Sequence, residues 1–335
     1  CYFKLIIVIE KMNIYKNKTV LITGGTGTFG QAFAKTLLNF QKIKKVIIFS
    51  RDELKQSEMA LKFPLSKYPK IRFFIGDVRD IDRLKIAFNE VDYVVHAAAL
   101  KQVPTVEYNP FEAIKTNIIG SQNIIEASWA NNVKRIVALS TDKACSPLNL
   151  YGATKLSAEK LFINSSSIKS KQTNFSVVRY GNVMGSRGSI FDIIKKNKKT
   201  RFNLTDKRMT RFHIKLQDAI EMVHYAFDKL CGGEILIPKI PSIKILDLVE
   251  TVYGKNYNVT GIRSGEKIHE SLITHSESYM SHENKKYYLI GNPVRLDVIK
   301  KNFRKVKKQF SYSSERNLFL TKKQISSEIK DLFKK

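Results

Sequence analysis

The sequence predicts an α/β protein built on a doubly wound parallel sheet, with a smaller C-terminal region after it. Two patterns support this fold class. Short apolar runs rich in β-branched residues alternate with longer amphipathic runs from Thr19 to Tyr180, and a glycine-rich turn follows the first run. Because each strand–helix–strand unit brings two strands together in parallel, the repetition predicts one sheet with helices on both faces. After Gly181 the alternation weakens, which indicates a separate, smaller region.

The individual elements follow from length, periodicity and the residues at their borders. Short apolar runs bordered by turn residues are predicted as buried strands, namely Thr19–Thr23, Lys45–Phe49, Ile71–Ile75, Tyr93–His96, Arg135–Leu139 and Phe175–Arg179. The amphipathic runs between them are predicted as helices, namely Phe29–Phe40, Asp52–Phe63, Ile81–Asn89, Phe111–Asn131 and Leu150–Ser165. Asn109–Pro110 is a suitable start for the fourth helix, because Pro fits a first helical turn. Farther on we expect a helix at Leu216–Leu230 and a strand–helix pair within Glu234–Gly254.

The composition is that of an ordinary globular protein except in its charge. The chain has 335 residues, 43% of them hydrophobic, and a formal net charge of +28. Such a surface attracts polyanions such as nucleic acid, acidic membranes or phosphorylated substrates. The lysines are dispersed rather than gathered in one tract, which favours the alternative that they cover solvated faces. We therefore expect neither nucleic acid nor a membrane among the partners.

The cysteines and the hydropathy pattern exclude several further classes. Cys1, Cys145 and Cys231 stand far apart, so they predict neither a disulfide framework nor a metal site, and they suit a reducing cytoplasm. No run approaches the roughly 20 apolar residues of a membrane-spanning helix. The opening run 3–9 is too short for a signal-peptide core. Met12 is the expected native start.

A glycine pattern marks the first strand-to-helix turn. Gly24, Gly27 and Gly30 recur at every third position. Such a turn bends sharply, approaches a pyrophosphate with its backbone and packs helix on strand, and a residue without Cβ suits each requirement. The N–H groups at the helix N-terminus then bind phosphates. In its strand–helix context, the loop predicts a Rossmann-type dinucleotide site formed by Gly24, Thr26, Gly27, Thr28, Phe29 and Gly30.

The end of the second predicted strand bears on the choice between NAD and NADP. An acidic residue there binds the ribose 2′-hydroxyl of NAD, whereas an arginine accommodates the 2′-phosphate of NADP. Ser50 occupies the strand end and Arg51 follows, and a hydroxyl beside a guanidinium suits a phosphate. We expect NADP, with NAD as the alternative because Asp52 is next in the chain. Asp77 and Val78 are expected to flank the adenine, and Asp77 is also a candidate helix N-cap.

A group of polar residues follows the fifth predicted strand. Tyr151 and Lys155 are four residues apart, which places them on one helix face, where an ammonium lowers the pKa of the phenol. The phenol can take a proton from a hydroxyl while hydride leaves for a nicotinamide, and Thr141 can hydrogen-bond the same oxygen. Asp142 and Lys143 are not needed for hydride transfer. They offer the acid and base that elimination of water requires, or they form a local ion pair in a surface loop.

The motif around these residues is specific. Residues 140–144 read STDKA and residues 149–155 read NLYGATK. Further matching segments are Ala97–Pro104, Arg179–Val183, Arg208–Phe212 and Gly261–Lys267. Together they resemble the inverting UDP-N-acetylglucosamine 4,6-dehydratases, extended short-chain dehydrogenases/reductases that open pseudaminic acid biosynthesis in bacteria. The resemblance runs from about Lys18 to about Ile290.

The resemblance implies a reaction and assigns roles in it. UDP-N-acetylglucosamine would be dehydrated at C4–C6 with inversion at C5, giving UDP-2-acetamido-2,6-dideoxy-β-L-arabino-hexos-4-ulose. Tyr151 would remove the C4 hydroxyl proton, Lys143 the C5 proton, and Asp142 would protonate the departing C6 hydroxyl. The C4 hydride passes to NADP and returns to C6. Retaining relatives carry Glu after the Asp, so Lys143 implies inversion. Cofactor contacts are also expected from Ala97, Ala98, Ala99, Tyr151 and Lys155.

The resemblance further implies substrate contacts from Lys101, Asn182, Arg208, Arg211, Arg263 and Glu266, whose basic members match a diphosphate. Two departures stand out. Ser264 replaces a usual Pro, which reduces loop rigidity, and Gln102 stands where His is common, which bears on sugar specificity. His96 and His213 are interpreted as structural, and no metal site is expected.

The expected organisation has four parts. Residues 1–17 form an N-terminal extension, and 18–180 an NADP-binding Rossmann domain on which a helix near 213–231 packs back. Residues 181–293 form a substrate-binding region for the UDP-sugar, and 294–335 a basic C-terminal segment. Relatives assemble as dimers or hexamers, so we expect a homo-oligomer.

Two other functions stay open. A nucleotide-sugar 4-epimerase or reductase would need Tyr151 and Lys155 but leave Asp142 and Lys143 without a role. A catalytically idle protein of the same fold would use the basic surface to hold nucleic acid. The intact Tyr, Lys, Thr and glycine loop disfavour the idle protein, as does the lack of an interleaved basic–aromatic patch.

Overall fold

The computed structural model describes residues 13–168, 172–186, 188–196, 201–291 and 301–333. The strands in these ranges are β1 (Thr19–Thr23), β2 (Lys45–Ser50), β3 (Ile71–Ile75), β4 (Tyr93–His96), β5 (Arg135–Thr141), β6 (Asn174–Tyr180), β7 (Asn182–Val183), β8 (Phe202–Leu204), β9 (Thr210–Ile214), β10 (Glu234–Pro238), β11 (Ser242–Lys244), β12 (Tyr257–Val259), β13 (Ser271–Ile273), β14 (Ser281–Glu283), β15 (Tyr287–Ile290), β16 (Arg304–Lys305) and β17 (Tyr312–Ser313).

The α-helices in the same ranges are α1 (Thr28–Leu38), α2 (Glu53–Lys62), α3 (Ile81–Ala87), α4 (Val103–Tyr108), α5 (Pro110–Ile114), α6 (Gly120–Ala130), α7 (Leu150–Ser165), α8 (Ile190–Lys196), α9 (Leu216–Lys229), α10 (Ile245–Tyr253), α11 (His275–Ser278) and α12 (Lys322–Phe333). A π-helical segment, Lys115–Ile119, lies between α5 and α6.

The main sheet confirms the predicted fold class. Its order is β16-β14-β15-β10-β6-β5-β4-β1-β2-β3, and the stretch from β10 to β3 is parallel throughout. The six predicted strands form the consecutive doubly wound part from β6 to the edge strand β3. Their near-continuous apolar sequences agree with burial on both faces: every residue of β1 is buried, as is every residue of β10.

The sheet continues beyond the segment in which alternation is visible. Strand β10 adds in parallel to β6, and β15, β14 and β16 add in antiparallel order at the same edge. Residues assigned from the sequence to the substrate-binding region and to the basic C-terminal segment therefore complete the main sheet. These strands are two to five residues long, so they carry little periodicity.

The predicted continuous helix Phe111–Asn131 is wrong in detail. It is divided into α5, the π-helical segment and α6, and the short helix α4 precedes it. The wider π turn carries Asn117, whose side-chain amide bonds both backbone groups of Leu100 at 2.9 Å and donates to the Thr154 hydroxyl at 3.0 Å. Such segments often occur at functional sites, and this one fixes the chain leading out of β4.

The smaller region has its own apolar core. Strands β11, β9 and β7 form one small sheet and β12 pairs with β8. Buried side chains of α8, α10 and α12, among them Ile194, Leu248 and Ile325, pack together there. Helix α9 instead belongs to the core of the main sheet, because its Val223 and Phe227 pack in one cluster with Val20 of β1. None of the helices in the described ranges has both the length and the apolarity to cross a membrane.

Candidate active site

A cleft of about 1020 Å³ opens at the carboxyl ends of the parallel strands. One wall is formed by the segments that follow β1, β2, β3 and β4, and the other by the ends of β5 and β6 with residues 263–267 of the smaller region. Ligands of doubly wound sheets bind at this edge, where the connections diverge to opposite faces. All predicted cofactor residues line the cleft, namely Gly24, Thr26, Gly27, Thr28, Phe29, Gly30, Ser50, Arg51, Asp77, Val78, Ala97, Ala98, Ala99, Tyr151 and Lys155.

The glycine loop fits a dinucleotide. Gly24 has φ +63°, and a Cβ there would lie 2.9 Å from the Cα of Ala98. Its carbonyl accepts the N–H of Gly27 at 3.0 Å, which closes the turn. Gly27 is the N-cap of α1 and supplies no side-chain cap, so the first N–H groups of the helix face the cleft. A backbone cradle at a helix N-terminus is suited to a pyrophosphate.

The end of β2 presents a hydroxyl and a guanidinium. The Ser50 Oγ lies 3.0 Å from the Thr26 Oγ1. Arg51 is half-exposed at the cleft wall. Asp52 is the N-cap of α2: it accepts the Lys55 N–H at 2.9 Å and pairs with the Lys55 side chain, whose hydrogen bonds lower the pKa of Asp52. Asp52, the acidic residue that kept NAD as an alternative cofactor, therefore caps a helix.

The alternative role of Asp77 as a helix N-cap is wrong, although Asp77 lines the cleft. The N-cap of α3 is Asp80, which accepts the Arg83 N–H at 2.9 Å. Asp77 is bound by the side chain of Arg79, with a shortest separation of 2.7 Å, and lies 3.5 Å from the Arg51 guanidinium. Asp77 thus positions Arg51 at the cleft instead of capping a helix.

The side chains predicted to be catalytic lie where β5 meets α7. Residues Asp142–Ala144 form a 3-10 turn, and Asn149 caps α7 by accepting the Gly152 N–H at 2.8 Å. A Cβ at Gly152 would lie 2.2 Å from the Lys143 carbonyl oxygen, so only glycine permits this approach of α7 to the turn. The first two turns of α7 thereby place Tyr151 and Lys155 in the cleft wall, both buried.

Lys143 adds to the charges predicted around Tyr151. Burial raises the pKa of Tyr151 to about 12, while the Lys143 charge and a hydrogen bond with Thr141 act to lower it. Lys143 therefore favours the phenolate, in addition to the predicted role of Lys155 on the same helix face. Burial also lowers the pKa of Lys155 to about 8, against the opposing effect of Glu159.

Asp142 and Lys143 are adjacent but occupy different depths. The Asp142 side chain is 1% exposed and its Oδ1 accepts from Thr141 Oγ1 at 3.0 Å and from Lys143 Nζ at 3.1 Å. Lys143 lines the cleft, whereas Asp142 lies behind it. The two therefore form an ion pair at the cleft wall, with Asp142 buried and Lys143 partly exposed, and not a solvated ion pair in a surface loop. Burial alone would lower the pKa of Lys143, but the carboxylates of Asp142 and Glu270 raise it above its usual value.

Most predicted substrate residues line the same cleft, namely Lys101, Asn182, Arg211, Arg263 and Glu266. Arg208 does not: its side chain is 67% exposed and pairs with Asp206 at 2.7 Å. Arg211 is largely committed to the protein itself, since its guanidinium donates to the carbonyls of Thr210, Ile268 and Lys267 at 2.8–2.9 Å.

The two histidines interpreted as structural lie in the protein core. His96 Nδ1 is 2.9 Å from the Thr23 hydroxyl, and burial lowers the pKa of His96 to about 3. His213 Nε2 lies 2.5 Å from a carboxylate oxygen of Glu328. Within the described part of the chain no group of three His, Cys, Asp or Glu side chains is placed to hold a metal ion.

Glu270 is a charged cleft residue that was not predicted from the sequence. Glu270 is 2% exposed, lines the cleft and lies 3.5 Å from the Lys143 amine. Its only sequence signal is its position three residues after Lys267, just beyond a motif that was recognised.

A Rossmann cleft with a buried Tyr–Lys pair and a threonine hydroxyl at the end of the fifth strand defines an extended short-chain dehydrogenase/reductase. Residues 20–292 match the family described as polysaccharide biosynthesis protein. The chain is 49% identical to the UDP-N-acetylglucosamine 4,6-dehydratase (inverting) of Campylobacter jejuni, over 91% of this chain and 94% of that relative. It is 40% identical to the UDP-glucose 4-epimerase of Rickettsia bellii, over 95% of this chain and 96% of that relative.

A solved structure is similar over nearly the whole chain. The X-ray structure of Pen from Bacillus thuringiensis matches with a TM-score of 0.88 at 37% identity, over 95% of this chain and 98% of that one. The chain therefore belongs to the polysaccharide biosynthesis protein family that includes the inverting UDP-N-acetylglucosamine 4,6-dehydratases. The resemblance drawn from the motifs is thereby confirmed.

Proposed function

We propose that this protein dehydrates UDP-N-acetylglucosamine at C4–C6 with inversion at C5. The observation that carries the proposal is the position of Lys143: it lines the cleft, its charge acts on Tyr151, and its amine is 3.1 Å from the buried Asp142. An epimerase or reductase has no use for an amine paired with a carboxylate beside the Tyr. Dehydration needs both an acid and a base.

The roles follow from depth and contacts. The glycine loop and the cleft wall would hold the dinucleotide, which when bound supplies a hydride acceptor for C4 and a donor for C6. Tyr151 takes the proton of the C4 hydroxyl, and Thr141 is hydrogen-bonded to the Tyr151 phenol. The resulting ketone acidifies the C5 proton, and Lys143, at the cleft wall, removes it. Because Lys143 rests in its charged form, it must first pass a proton to Asp142, whose Oδ1 is 3.1 Å away. This transfer leaves a neutral amine as the base and a carboxylic acid as the proton donor.

Asp142 would supply the proton for the departing C6 hydroxyl indirectly. Its carboxylate is fully buried, but one oxygen is bound by both Thr141 and Lys143, which lie on the cleft surface. A proton that leaves Asp142 therefore crosses one hydrogen bond to reach a cleft group. The C6 oxygen departs as water, the C5–C6 double bond forms, and hydride addition at C6 with protonation at C5 completes the reaction.

We propose NADP as the dinucleotide. Arg51 lies half-exposed at the cleft wall beside Ser50, while Asp52 caps α2 and pairs with Lys55. A guanidinium and a hydroxyl suit a 2′-phosphate. Calorimetric titration with both dinucleotides tests this choice: tighter binding of NADP that is lost in Arg51→Ala supports it, and tighter binding of NAD overturns it.

The substrate region and the biological setting complete the proposal. Lys101, Asn182, Arg211, Arg263 and Glu266 would contact the UDP-sugar. The product would enter pseudaminic acid-type sugar biosynthesis in the cytoplasm, and the protein would act as a homo-oligomer, a dimer or a hexamer.

The product of purified protein with UDP-N-acetylglucosamine, followed by NMR, tests the reaction. A 4-keto-6-deoxy sugar of L-arabino configuration supports the proposal. UDP-N-acetylgalactosamine would establish the second candidate, a 4-epimerase, which the 40% identity to the Rickettsia bellii relative favours. The absence of any turnover would leave a binding protein.

A further inference from the structure

Glu270 is a second buried carboxylate close to the Lys143 amine. The Lys143 amine is 3.1 Å from Asp142 Oδ1 and 3.5 Å from Glu270 Oε1. The Glu270 side chain is 3% exposed, and its other oxygen, Oε2, is buried without a hydrogen-bond partner among the described residues. A carboxylate this deep is costly unless cations neutralise it. The amine at the cleft wall therefore lies within 3.5 Å of two buried carboxylates that come from distant parts of the chain.

The backbone that carries Glu270 is fixed at several points. Its N–H donates to the Ser314 hydroxyl at 2.9 Å, and its carbonyl accepts the Ser314 N–H at 2.8 Å. The Ser314 hydroxyl lies 2.7 Å from that of Thr210, and Arg211 donates to the carbonyls of residues 267 and 268, three and two positions before Glu270. The carboxylate is thus aimed at Lys143 by a rigid support.

Lys143 and Glu270 belong to a larger group of charges and not to an isolated ion pair. Arg211 and Lys267 lie 4.0 Å from the Glu270 carboxylate. Lys143 is faced by Asp142 and Glu270, by Arg211, and at longer range by Lys101 and Tyr151. Removal of one carboxylate would leave an excess of positive charge around the amine.

We propose that Glu270 is a positioning residue for removal of the C5 proton: it holds the Lys143 amine at the cleft wall and controls its charge. The inference rests on the proposed dehydration and deepens it. Glu270 needs no contact with the sugar for this role, because it acts through Lys143. The C4 oxidation by Tyr151 should be largely independent of it.

Glu270→Gln tests the proposal, because it keeps the shape and removes the charge. We expect the pH-independent plateau of kcat for dehydration to fall roughly 10- to 100-fold, because the amine is no longer held in place, with KM changed less than about threefold. Rapid mixing should show reduced nicotinamide forming at near the wild-type rate and then accumulating, while deuterium from heavy water enters C5 slowly. Glu270→Asp should recover part of the rate. Glu315→Gln is the matched control, because Glu315 is half-exposed, pairs with His269 and does not line the cleft.

The pH profile separates charge control from a purely structural role. Since the Glu270 carboxylate raises the pKa of Lys143, its removal makes the neutral amine available at lower pH. The acid limb of the kcat profile should therefore move to lower pH in Glu270→Gln. An unmoved limb, or equal loss of reduced nicotinamide and of product, would overturn the inference while the proposed function stands. A wild-type protein that performs no dehydration would overturn both.

Discussion

Replacement of Arg179 by Met should destabilise the protein through the network beneath the catalytic helix. The Arg179 side chain is 1% exposed and binds Glu159 of α7 at 2.9 and 2.6 Å. The same guanidinium binds Glu277 at 3.1 and 2.9 Å and donates to the Leu272 carbonyl at 3.0 Å. Glu159 is also 1% exposed, so it has no access to water when the arginine is removed.

The magnitude follows from this burial. Breaking a buried pair by removing one partner costs about 3 to 5 kcal/mol, mainly because the remaining charge is uncompensated. Glu277 is partly exposed and also accepts the Thr274 N–H at 3.0 Å, so leaving Glu277 without the arginine costs less stability. Most of the cost should therefore come from Glu159, and the double variant Arg179→Met with Glu159→Gln should recover on the order of 1 to 3 kcal/mol.

Urea unfolding of the wild type and the variants measures these differences. Arg208→Met is the matched control, since its exposed pair with Asp206 is screened by solvent and should contribute little to stability. An Arg179→Met variant that loses no more than the control, or a double variant that is less stable than the single one, would refute the reasoning.

Three further predictions concern the walls of the cleft. Because burial lowers the pKa of Lys155 to about 8 from the ordinary 10.5, Lys155→Met should raise the unfolding free energy at neutral pH by on the order of 2 to 3 kcal/mol. This gain in stability should decrease as the pH rises from about 8 to about 10.5, because Lys155 loses its proton in the folded wild type before it does in the unfolded chain. A variant that is less stable than the wild type at neutral pH would contradict the prediction. Gly24→Ala, at φ +63° and 2.9 Å from the Ala98 backbone, should cost about 1 to 3 kcal/mol of stability and weaken dinucleotide binding at least about tenfold by calorimetry. Undiminished binding would show that the loop tolerates a side chain. Asn149→Ala should cost about 1 kcal/mol by loss of the α7 cap and raise KM, because the same amide donates to the Gly265 carbonyl at 2.8 Å, and an unchanged KM would remove that link to the substrate side.

The centre of the fold could be predicted because its signals are local. Strands β1, β3 and β4 begin and end where the apolar runs do. The division of the predicted helix at Lys115–Ile119 was not accessible, since one widened turn barely changes the apolar period. The strands after β6 were missed as parts of the main sheet because their partners lie far away in sequence.

The candidate site shows the same limit. The cofactor wall follows from glycine spacing and strand ends, so its residues could be chosen in advance. The depth at which each side chain lies could not be predicted from the sequence. Asp142 lies behind the cleft and Arg208 outside it, although both belong to recognised motifs. Glu270 meets Lys143 only through tertiary packing, which no spacing in the sequence records.

The role of Lys143 in removing the C5 proton is tested most directly by the configuration at C5 of the sugar that the wild type and Lys143→Glu release. NMR coupling constants of the ring protons report it. The account predicts a product inverted at C5 from the wild type, and no inverted product from a variant that still binds the dinucleotide. Inversion by the variant at the wild-type rate would show that the C5 proton leaves through another group.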